Sequence, residues 1–369
     1  MADIQTSVIV FDGGRTLPVM TWYEAWKARF VRNKETVDEQ RKQAEDSGPF
    51  LKARVRLLFV IQLDAIGENE EANAFLREQK AGNTMLEGAC AALVVLSDSE
   101  LYTKTYAKKF IFLTNQMGCE WIGHPVFEVI EGYKNFNVWA RTLQLSPEAA
   151  AKHRFEETVE RLETYKPLQK DAYKFLVLHA GHKTLSNTLA LWSHVEEKLV
   201  SAPISIQTLH VEEGRITDCY GCSFETCLYY SMEKSCFYGG FVVEELYPQI
   251  EAADFVVWIC PNYNDAISAK LMAVVNRLTA LYRQIRFYDK YVLAVVVSGN
   301  SGCDTVAEQL IGALAVNKGF RLPPRFALMA LASAPGEIEN WPSLEAETDK
   351  YVRSIKHLMD SEKEGKGTL

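Results

Sequence analysis

The stretch KFLVLHAGHKTLSNT, which runs from Lys174 to Thr188, joins a short aliphatic run to a glycine-containing turn and then to hydroxyl and amide side chains. A short, nearly continuous apolar run is typical of a strand that is buried on both faces of a parallel sheet. The residues from Leu185 to Leu199 have the apolar spacing of a helix. The sequence therefore predicts a strand, a loop and a helix in direct succession.

This alternation of strand and helix patterns continues through the C-terminal half. Strands are predicted at Lys174–His179, Ile204–His210, Phe255–Cys260, Tyr291–Val297 and Phe326–Leu331. Helices are predicted at Leu185–Leu199, Phe241–Glu251, Ile267–Phe287, Thr305–Lys318 and Leu344–Met359. Strict alternation is typical of a doubly wound α/β fold, in which ligands bind beyond the carboxyl ends of the parallel strands. The loops that follow the strands are therefore the candidate functional segments.

Two segments of the N-terminal half repeat segments of the C-terminal half. VIVFDGGRTL, from Val8 to Leu17, matches LVLHAGHKTL, from Leu176 to Leu185, at an offset of 168, and Thr105–Ile111 matches Thr305–Ile311 at an offset of 200. The offsets differ by 32 residues, and one strand with its crossover helix occupies roughly 30. We predict that the N-terminal half is a copy of the same fold that lacks one strand and one helix. Two unrelated α/β domains with similar loops are the alternative.

The length of 369 residues favours two domains, because single cores stop growing near ~250 residues. We place them at residues 1–165 and 166–369, with a charged helical linker between Ser146 and Asp171. Hydrophobic residues make up 48% of the chain, which indicates a globular protein, but no apolar run approaches the roughly 20 residues of a membrane span. No secretory signal pattern begins the sequence, so we expect a cytoplasmic protein that does not bind membranes.

The charge and the cysteine content narrow the expected partners. A net charge of -8 argues against a nucleic-acid surface, which needs clustered cations, and favours a small-molecule partner. Eight cysteines in a chain without a signal sequence indicate reduced thiols rather than a disulfide framework.

Three of the loops that follow strands suit a flat ligand bearing a phosphate. Loop 1 (residues 180–188) opens a helix, whose free N–H groups attract anions, and its candidate binding residues are Gly181, His182, Lys183, Ser186, Asn187 and Thr188. Loop 2 (residues 261–268) offers Pro261, Asn262, Tyr263 and Asn264. Loop 3 (residues 298–304) offers Ser298, Gly299, Asn300 and Gly302. Each loop taken alone could also have a purely structural role. Loop 1 could be a helix N-cap, loop 2 an exposed turn and loop 3 an ordinary glycine-rich loop.

On these residues, the segment from Lys174 to Ala334 resembles the NAD(P)H-dependent FMN reductase family, which has a flavodoxin-like fold. The family's phosphate loop, Gly-Ser-x-Arg-x-x-(Ser/Gly)-Asn-Thr, corresponds to loop 1, where Ser-Asn-Thr is kept but Gly-Ser and Arg are replaced. Its Pro-x-Tyr loop corresponds to Pro261–Tyr263, and Ile267–Lys270 and Asn276–Arg277 follow the downstream pattern.

The resemblance implies an FMN whose phosphate lies on Ser186, Asn187 and Thr188 and whose ring lies near Pro261, Asn262, Tyr263 and the Gly299–Asn300 turn. It implies hydride transfer from NAD(P)H to FMN and onward to a quinone, a flavin, a nitro or azo compound or a metal centre, with no catalytic side chain. A homo-oligomer, or a pseudo-dimer formed by the two halves, is implied as well. The rival functions are an FMN-binding electron carrier, with or without an iron–sulfur cluster, that turns over no nicotinamide, and a structural protein without FMN.

Four cysteines follow the second predicted strand of the C-terminal half: Cys219, Cys222, Cys227 and Cys236. Thiolates so close in sequence can hold a 4Fe–4S cluster or a zinc ion, or they can be structural thiols that line a pocket. Iron–sulfur flavoproteins related to the family have a tighter cysteine motif here, so all three interpretations remain open.

The N-terminal half lacks the residues that suit a phosphate. Pro18, Val19 and Met20 stand where loop 1 has Ser186, Asn187 and Thr188, and proline has no backbone N–H to donate. Ser97–Glu100 stands in place of loop 3 and adds negative charge. We therefore expect a degenerate flavodoxin-like domain without a cofactor.

Overall fold

The computed structural model describes residues 6–41, 55–82, 85–182, 184–200, 203–212 and 216–360, so Lys183 of loop 1 lies outside the described residues. The chain divides into two compact units. Unit 1 holds the described residues up to Ala107 together with Val126–Lys166. Unit 2 holds Lys108–Pro125 and Pro167–Met359.

The N-terminal half contributes a four-stranded sheet of order β1-β2-β3-β4. Its strands are β1 (Thr6–Phe11), β2 (Arg56–Gln62), β3 (Cys90–Ser97) and β4 (Glu120–Ile130), and the β1–β2 and β2–β3 pairs are parallel. The helices are α1 (Pro18–Arg41), α2 (Glu70–Lys80), α3 (Thr103–Gln116), α4 (Asn137–Leu143) and α5 (Pro147–Glu163). β3 is buried along its whole length, as expected of a strand inside an α/β layer.

The segment from Ser146 to Asp171 is largely helical, as predicted, but its helix belongs to unit 1 rather than to a linker, and the two units meet at Lys166 and Pro167. Most of that segment is α5, which begins at the N-cap Ser146 and buries Phe155, Val159 and Leu162 in unit 1. The Phe155 ring lies 5.5 Å from the Phe127 ring. The charged residues of α5 made an amphipathic core helix resemble a charged helical linker in the sequence.

Unit 2 contains a five-stranded parallel sheet of order β6-β5-β7-β8-β9. Its strands are β5 (Tyr173–His179), β6 (Ile204–His210), β7 (Phe255–Pro261), β8 (Tyr291–Ser298) and β9 (Ala327–Leu331). Its helices after β5 are α6 (Asn187–Leu199), α7 (Phe224–Ser231), α8 (Tyr247–Ala252), α9 (Ala269–Gln284), α10 (Cys303–Leu310) and α11 (Leu344–Asp360). π-helical turns extend α8 at its start, from Val242, and α10 at its end, to Val316. The five predicted strands and five predicted helices are all present, and α7 was not predicted.

The core of unit 2 explains why these sequences form a doubly wound sheet. β7 is buried from Phe255 to Cys260 and β8 is buried throughout, because helices cover both faces. On one face, Phe175 and Val257 pack with Leu191 and Val195 of α6 and with Tyr351 of α11. The parallel strand order β6-β5-β7-β8-β9, which is the flavodoxin-like order 2-1-3-4-5, confirms the predicted fold class.

The two sheets have the same strand order apart from one edge strand. The order β1-β2-β3-β4 corresponds to β5-β7-β8-β9, and β6 has no counterpart. The observed arrangement is consistent with a duplication in which the N-terminal copy lacks one strand and one helix. In the described part of the chain, no helix combines the length and the apolar character needed to cross a bilayer.

Candidate functional site

The strand order of unit 2 creates one topological switch point. From β5 the chain passes to β6 on one side of the sheet and then returns to β7 on the other side of β5. Connections that leave in opposite directions open a crevice beyond the carboxyl ends of β5 and β7. Loop 1 follows β5, loop 2 follows β7 and loop 3 follows β8, so the three predicted loops lie at this edge.

In loop 1, Gly181 lies close to Ser186, the N-cap residue of the helix that follows. A Cβ atom on Gly181 would lie 3.2 Å from the Ser186 hydroxyl oxygen, so this position needs glycine or a small shift of Ser186. Ser186 is the N-cap of α6, and its Oγ accepts a hydrogen bond from the Leu189 N–H at 3.3 Å. The His182 ring turns back onto Thr184, with 3.1 Å between Nδ1 and Oγ1. The structural role of an N-cap and a place near the anion-attracting helix start thus coexist at Ser186.

Asn187 and Thr188, the other two predicted phosphate ligands, are 8% and 2% exposed. The Asn187 carboxamide donates to the Ala334 carbonyl at 2.8 Å and accepts from the Ile338 N–H at 3.4 Å. Its side chain therefore fastens α6 to the segment after β9. A phosphate contact from the Asn187 side chain stays a prediction, and Ser186 and the backbone of the helix start are better placed to make one.

Loop 2 contains a two-residue turn, and the ring of Tyr263, which precedes this turn, is exposed at the surface. Asn264 and Asp265 have φ values of 55° and 54°, and Tyr263 and Ala266 exchange backbone hydrogen bonds across them. Asparagine and aspartate tolerate this left-handed conformation better than most residues, which is the physical reason for their presence. The Tyr263 side chain is 57% exposed, so its ring is available to a flat ligand.

Asn262 joins loop 2 to loop 3. Its Nδ2 donates to the Asp265 carboxylate at 3.1 Å, to the Ser298 hydroxyl at 3.1 Å and to the Ser301 carbonyl at 3.0 Å. The carboxylate and the carbonyl only accept, so they fix the orientation of the amide. Asn262 Oδ1 is buried without a hydrogen-bond partner in the described structure. An unpaired buried acceptor costs about 1–3 kcal/mol, so a ligand N–H at this point would stabilise the loop.

Gly302 makes the close approach of loops 2 and 3 geometrically feasible. Its φ is 85°, and a Cβ atom there would lie 2.2 Å from Asp265 Oδ1 and 2.9 Å from Asn262 Nδ2. A side chain at this position would therefore separate the loops. Gly299 and Asn300 are exposed at the tip of loop 3, where a ligand can reach their backbone.

A fourth loop, residues 332–337, also reaches this edge and was not predicted. The Ala332 N–H donates to the Ser298 carbonyl at 2.9 Å, and Ala332 and Ala334 both face the Asn187 amide. The Glu337 carboxylate accepts from the Ser333 N–H at 2.5 Å and the Ala334 N–H at 2.8 Å. These backbone bonds lower the pKa of Glu337 below its ordinary value. The fourth loop thus connects loop 1 to loop 3.

A groove of about 460 Å³ opens beside loop 1 along α6. Ser186 and Ser193 line it, together with His194 and the carboxylates of Glu197 and Glu339. His194 Nε2 lies 2.9 Å from Glu339 Oε2. Two carboxylates disfavour an anion, so this groove does not suit a phosphate.

The metal-centre interpretation of the cysteine segment has no support among the described residues. All four thiols are free, and the described residues contain no group of three His, Cys, Asp or Glu side chains that could hold a metal ion. The structure therefore gives no support to a 4Fe–4S cluster or a zinc site at Cys219, Cys222, Cys227 and Cys236. Structural or pocket-lining thiols remain the interpretation.

A buried arginine holds both ends of the cysteine segment. Arg277 is 3% exposed, and its guanidinium donates to the Thr217 carbonyl at 3.3 Å and to the Gly239 carbonyl at 2.7 Å. These two residues flank the four cysteines. Arg277, matched to the family only by pattern, thus acts here as a clamp.

The corresponding loops of unit 1 are bridged by an ion pair. Arg15, after β1, lies 2.5 Å from the Asp98 carboxylate after β3, and Pro18 begins α1. The absence of a cofactor from unit 1 stays a prediction, which these residues favour.

Comparison with known proteins agrees with the C-terminal prediction. Residues 173–332 match the family model described as NADPH-dependent FMN reductase. This match confirms the predicted resemblance of residues 173–332 to that family. No curated protein matches the chain.

Several solved structures are similar to about half of this chain. RosB with a bound intermediate, 8-demethyl-8-formylriboflavin-5'-phosphate, is 18% identical with a TM-score of 0.41, covering 50% of this chain and 78% of that one. An NAD(P)H:quinone oxidoreductase from Methanothermobacter marburgensis is 14% identical with a TM-score of 0.38, covering 52% and 100%. An FMN-dependent NADH-azoreductase from Bacillus anthracis is 14% identical with a TM-score of 0.33, covering 51% and 100%.

Proposed function

We propose that this protein is an FMN-dependent oxidoreductase that uses NADH or NADPH and reduces a small-molecule acceptor. The candidate acceptors are a quinone, a flavin, a nitro or azo compound or a metal centre. The single observation that carries the proposal is the Asn262 carboxamide, which holds loops 2 and 3 together and leaves one buried acceptor for a ligand.

The residues at the switch point fit FMN in three respects. The start of α6 and the Ser186 hydroxyl supply donors for a phosphate. Asn262 Oδ1 suits an N–H on the edge of a ring, and the exposed Tyr263 suits its face. Gly299 and Asn300 offer a backbone that lies open at the tip of loop 3.

When bound, FMN supplies the redox chemistry, since it can accept a hydride from NAD(P)H, which leaves as NAD(P)+, and deliver two electrons to the acceptor. The chain's own residues then have only positioning roles: Ser186 at the phosphate, Asn262 at the ring edge and Tyr263 at the ring face. Hydride and electron transfer through a flavin needs no covalent bond to a protein side chain. We therefore propose that the protein binds and orients the reactants rather than reacting covalently with them.

The test is an FMN titration of the full chain, followed by steady-state oxidation of NADH and of NADPH with a quinone as acceptor. The proposal expects quenching of flavin fluorescence, saturation at one FMN per chain, and turnover with at least one of the two nicotinamides. Saturable FMN binding without turnover of either nicotinamide, with quinone or with a nitro or azo acceptor, would favour the electron carrier. If the protein does not bind FMN, the remaining alternative is that it has a purely structural role.

A further inference from the structure

Unit 2 places two partly buried cations, Arg283 and Lys318, at the C-terminal part of α9. Arg283 lies in the last turn of α9, and Lys318 follows the π-helical turn that ends at Val316. In the part of the chain that the structure describes, neither cation pairs with an Asp or Glu carboxylate, and Arg283 donates no hydrogen bond. Burying a cation without an anion is unfavourable, so these two residues suit an anionic ligand. Neither was among the predicted site residues.

The Arg283 side chain extends back along α9 and rests on an aromatic ring. Its guanidinium carbon lies 4.5 Å from the centroid of the Phe224 ring, at the start of α7. The next residue, Gln284, donates instead to Ser231, at the end of α7, over 3.4 Å. Arg283 therefore points toward the N-terminus of α9, the direction that the tilt of Cα–Cβ bonds in a helix favours. Arg283 Nε is buried without a hydrogen-bond partner in the described structure, so its N–H is available to a ligand.

The Lys318 ammonium lies on the turn of α9 toward which Arg283 points. Lys318 Nζ donates to Thr279 Oγ1 over 2.9 Å. Thr279 precedes Arg283 by four residues, so the two side chains lie on one face of α9. Burial and, to a smaller extent, the charge of Arg283 lower the pKa of Lys318 below its ordinary value. The two positive charges are therefore close enough to repel each other.

The described side chains around the pair leave its charge in place. The carboxylate of Glu225, in the first turn of α7, accepts hydrogen bonds from the Ser223 hydroxyl and from its own backbone N–H. The thiols of Cys219 and Cys227 counteract the lowering of the Lys318 pKa, which places the pair beside the cysteine segment. A ligand that brings negative charge would relieve the repulsion between the two cations.

We propose that Arg283, Lys318 and Thr279 form a binding site for a phosphate group, separate from the loop 1 site proposed for FMN. A phosphate monoester carries a charge of about −1.5 to −2 at pH 7, which matches two cations better than one carboxylate does. The planar guanidinium offers paired N–H donors to two phosphate oxygens, and the ammonium supplies a compact charge. Inorganic phosphate and the 2'-phosphate of NADPH share this chemistry. Only the second of these sources rests on the proposed function.

The first experiment titrates the full chain with inorganic phosphate by isothermal calorimetry, at constant ionic strength in a buffer without phosphate. The test variants R283M and K318M each remove one charge. One control is R286M, because the Arg286 guanidinium also lies over a ring, 4.8 Å from the Tyr282 centroid, but the residue is exposed. A second control is S186A, which detects phosphate bound at loop 1.

We expect R283M and K318M each to weaken phosphate binding about tenfold, the effect of losing one charge-assisted hydrogen bond. R286M should bind phosphate as the wild type does, and S186A should keep the component that R283M loses. Equal phosphate affinities for the wild type, R283M and K318M, or no saturable phosphate binding by the wild type, would overturn the proposal.

A measurement on the wild type keeps the proposal testable if a variant does not fold. NMR follows the arginine Nε–H resonances during the phosphate titration, and the resonance that disappears in R283K is that of Arg283. The proposal expects this resonance to shift with phosphate and not with chloride at the same ionic strength. A resonance that does not move would contradict phosphate binding at Arg283, whatever the variants do.

The second experiment identifies the source of the phosphate. NADP+ and NAD+ differ only in the 2'-phosphate, so the wild type and R283M are titrated with each. A loss of affinity in R283M that is confined to NADP+ assigns the site to the coenzyme, and an unchanged affinity for NADP+ assigns it to free phosphate. FMN binding should be equal in R283M and the wild type. Failure to bind FMN therefore contradicts the proposed function alone, and failure to bind phosphate at Arg283 contradicts this site alone.

Discussion

The Asn262 side chain donates a hydrogen bond to the Ser298 hydroxyl over 3.1 Å and thereby ties the loop after β7 to the loop after β8. The same amide reaches the Ser301 carbonyl and the Asp265 carboxylate. One side chain thus determines the separation of two loops that come from neighbouring strands. Asn262 Oδ1 is buried without a hydrogen-bond partner, and it is the acceptor that we propose for a ligand N–H.

Replacing Asn262 with alanine should weaken FMN binding more than it weakens the fold. Loss of the amide removes the contact offered to the ring and frees loop 2 from loop 3, for which we expect about 1–3 kcal/mol, or roughly 5- to 150-fold in the dissociation constant. Fluorescence titration with FMN measures this dissociation constant. Asn317→Ala is the control, because Asn317 also donates to a carbonyl, that of Gly312, but lies at an exposed helix end. Equal affinities for N262A, N317A and the wild type would show that Asn262 does not contact the ligand.

Replacing Gly302 with alanine should separate loops 2 and 3. The new Cβ would lie 2.2 Å from Asp265 Oδ1, and alanine would also be strained at a φ of 85°. We therefore expect the free energy of unfolding to fall by about 2–3 kcal/mol and the FMN affinity to fall at least tenfold. Gly336→Ala isolates the strain, because Gly336 has φ 78° but open space around its Cβ position. The G336A control should lower the free energy of unfolding by only about 1 kcal/mol. Chemical denaturation and FMN titration measure both variants, and an equal loss for the two would mean that the clash is relieved without moving the loops.

Glu337→Gln should show a pH-dependent loss of stability. Hydrogen bonds from the Ala334 and Ser333 N–H groups lower the pKa of Glu337 in the folded protein. Its contribution is therefore present above the ordinary carboxyl pKa and disappears as the pH falls through the lowered value. Melting temperatures of the wild type and E337Q, measured from about pH 7 down to about pH 3 across the ordinary glutamate pKa of about 4.3, should converge at the acid end. Glu197→Gln, on the exposed face of α6, is the control, and a difference that persists unchanged in acid would argue against these bonds.

Arg277→Met should release the cysteine segment. The substitution leaves the Thr217 and Gly239 carbonyls without their donor, at a cost of about 1–3 kcal/mol each if they stay buried. Local opening should then expose Cys222, Cys227 and Cys236, which are only partly accessible in the intact structure. Thiol labelling under native conditions should be faster in R277M than in the wild type. If labelling rates are unchanged, other contacts hold the segment.

The strands and the sheet order were predictable because their signals are local. Apolar runs such as Tyr291–Val297 have the composition of buried parallel strands, and the alternation with helices leaves few alternative topologies. The offset between the two halves also predicted one missing strand. The observed sheet lacks a counterpart to β6, an edge strand whose removal leaves the order of the others intact.

The parts that were missed depend on contacts between residues distant in sequence. The orientation of the Asn187 side chain, for example, is determined by hydrogen bonds with Ala334 and Ile338, which lie far along the chain. The helix α7 was not predicted, because an eight-residue helix rich in aromatic residues has no clear amphipathic pattern. Lys318 and Thr279, which are 39 residues apart in sequence, become neighbours only in the folded chain.

The most direct test of the account is an anaerobic titration of the full chain, reconstituted with FMN, with NADH and with NADPH, followed by flavin absorption. The account predicts that one equivalent of at least one nicotinamide bleaches the bound flavin completely, and that N262A retains less flavin under the same conditions. A protein that binds FMN but stays oxidised with both nicotinamides, or that binds no FMN at all, would contradict it.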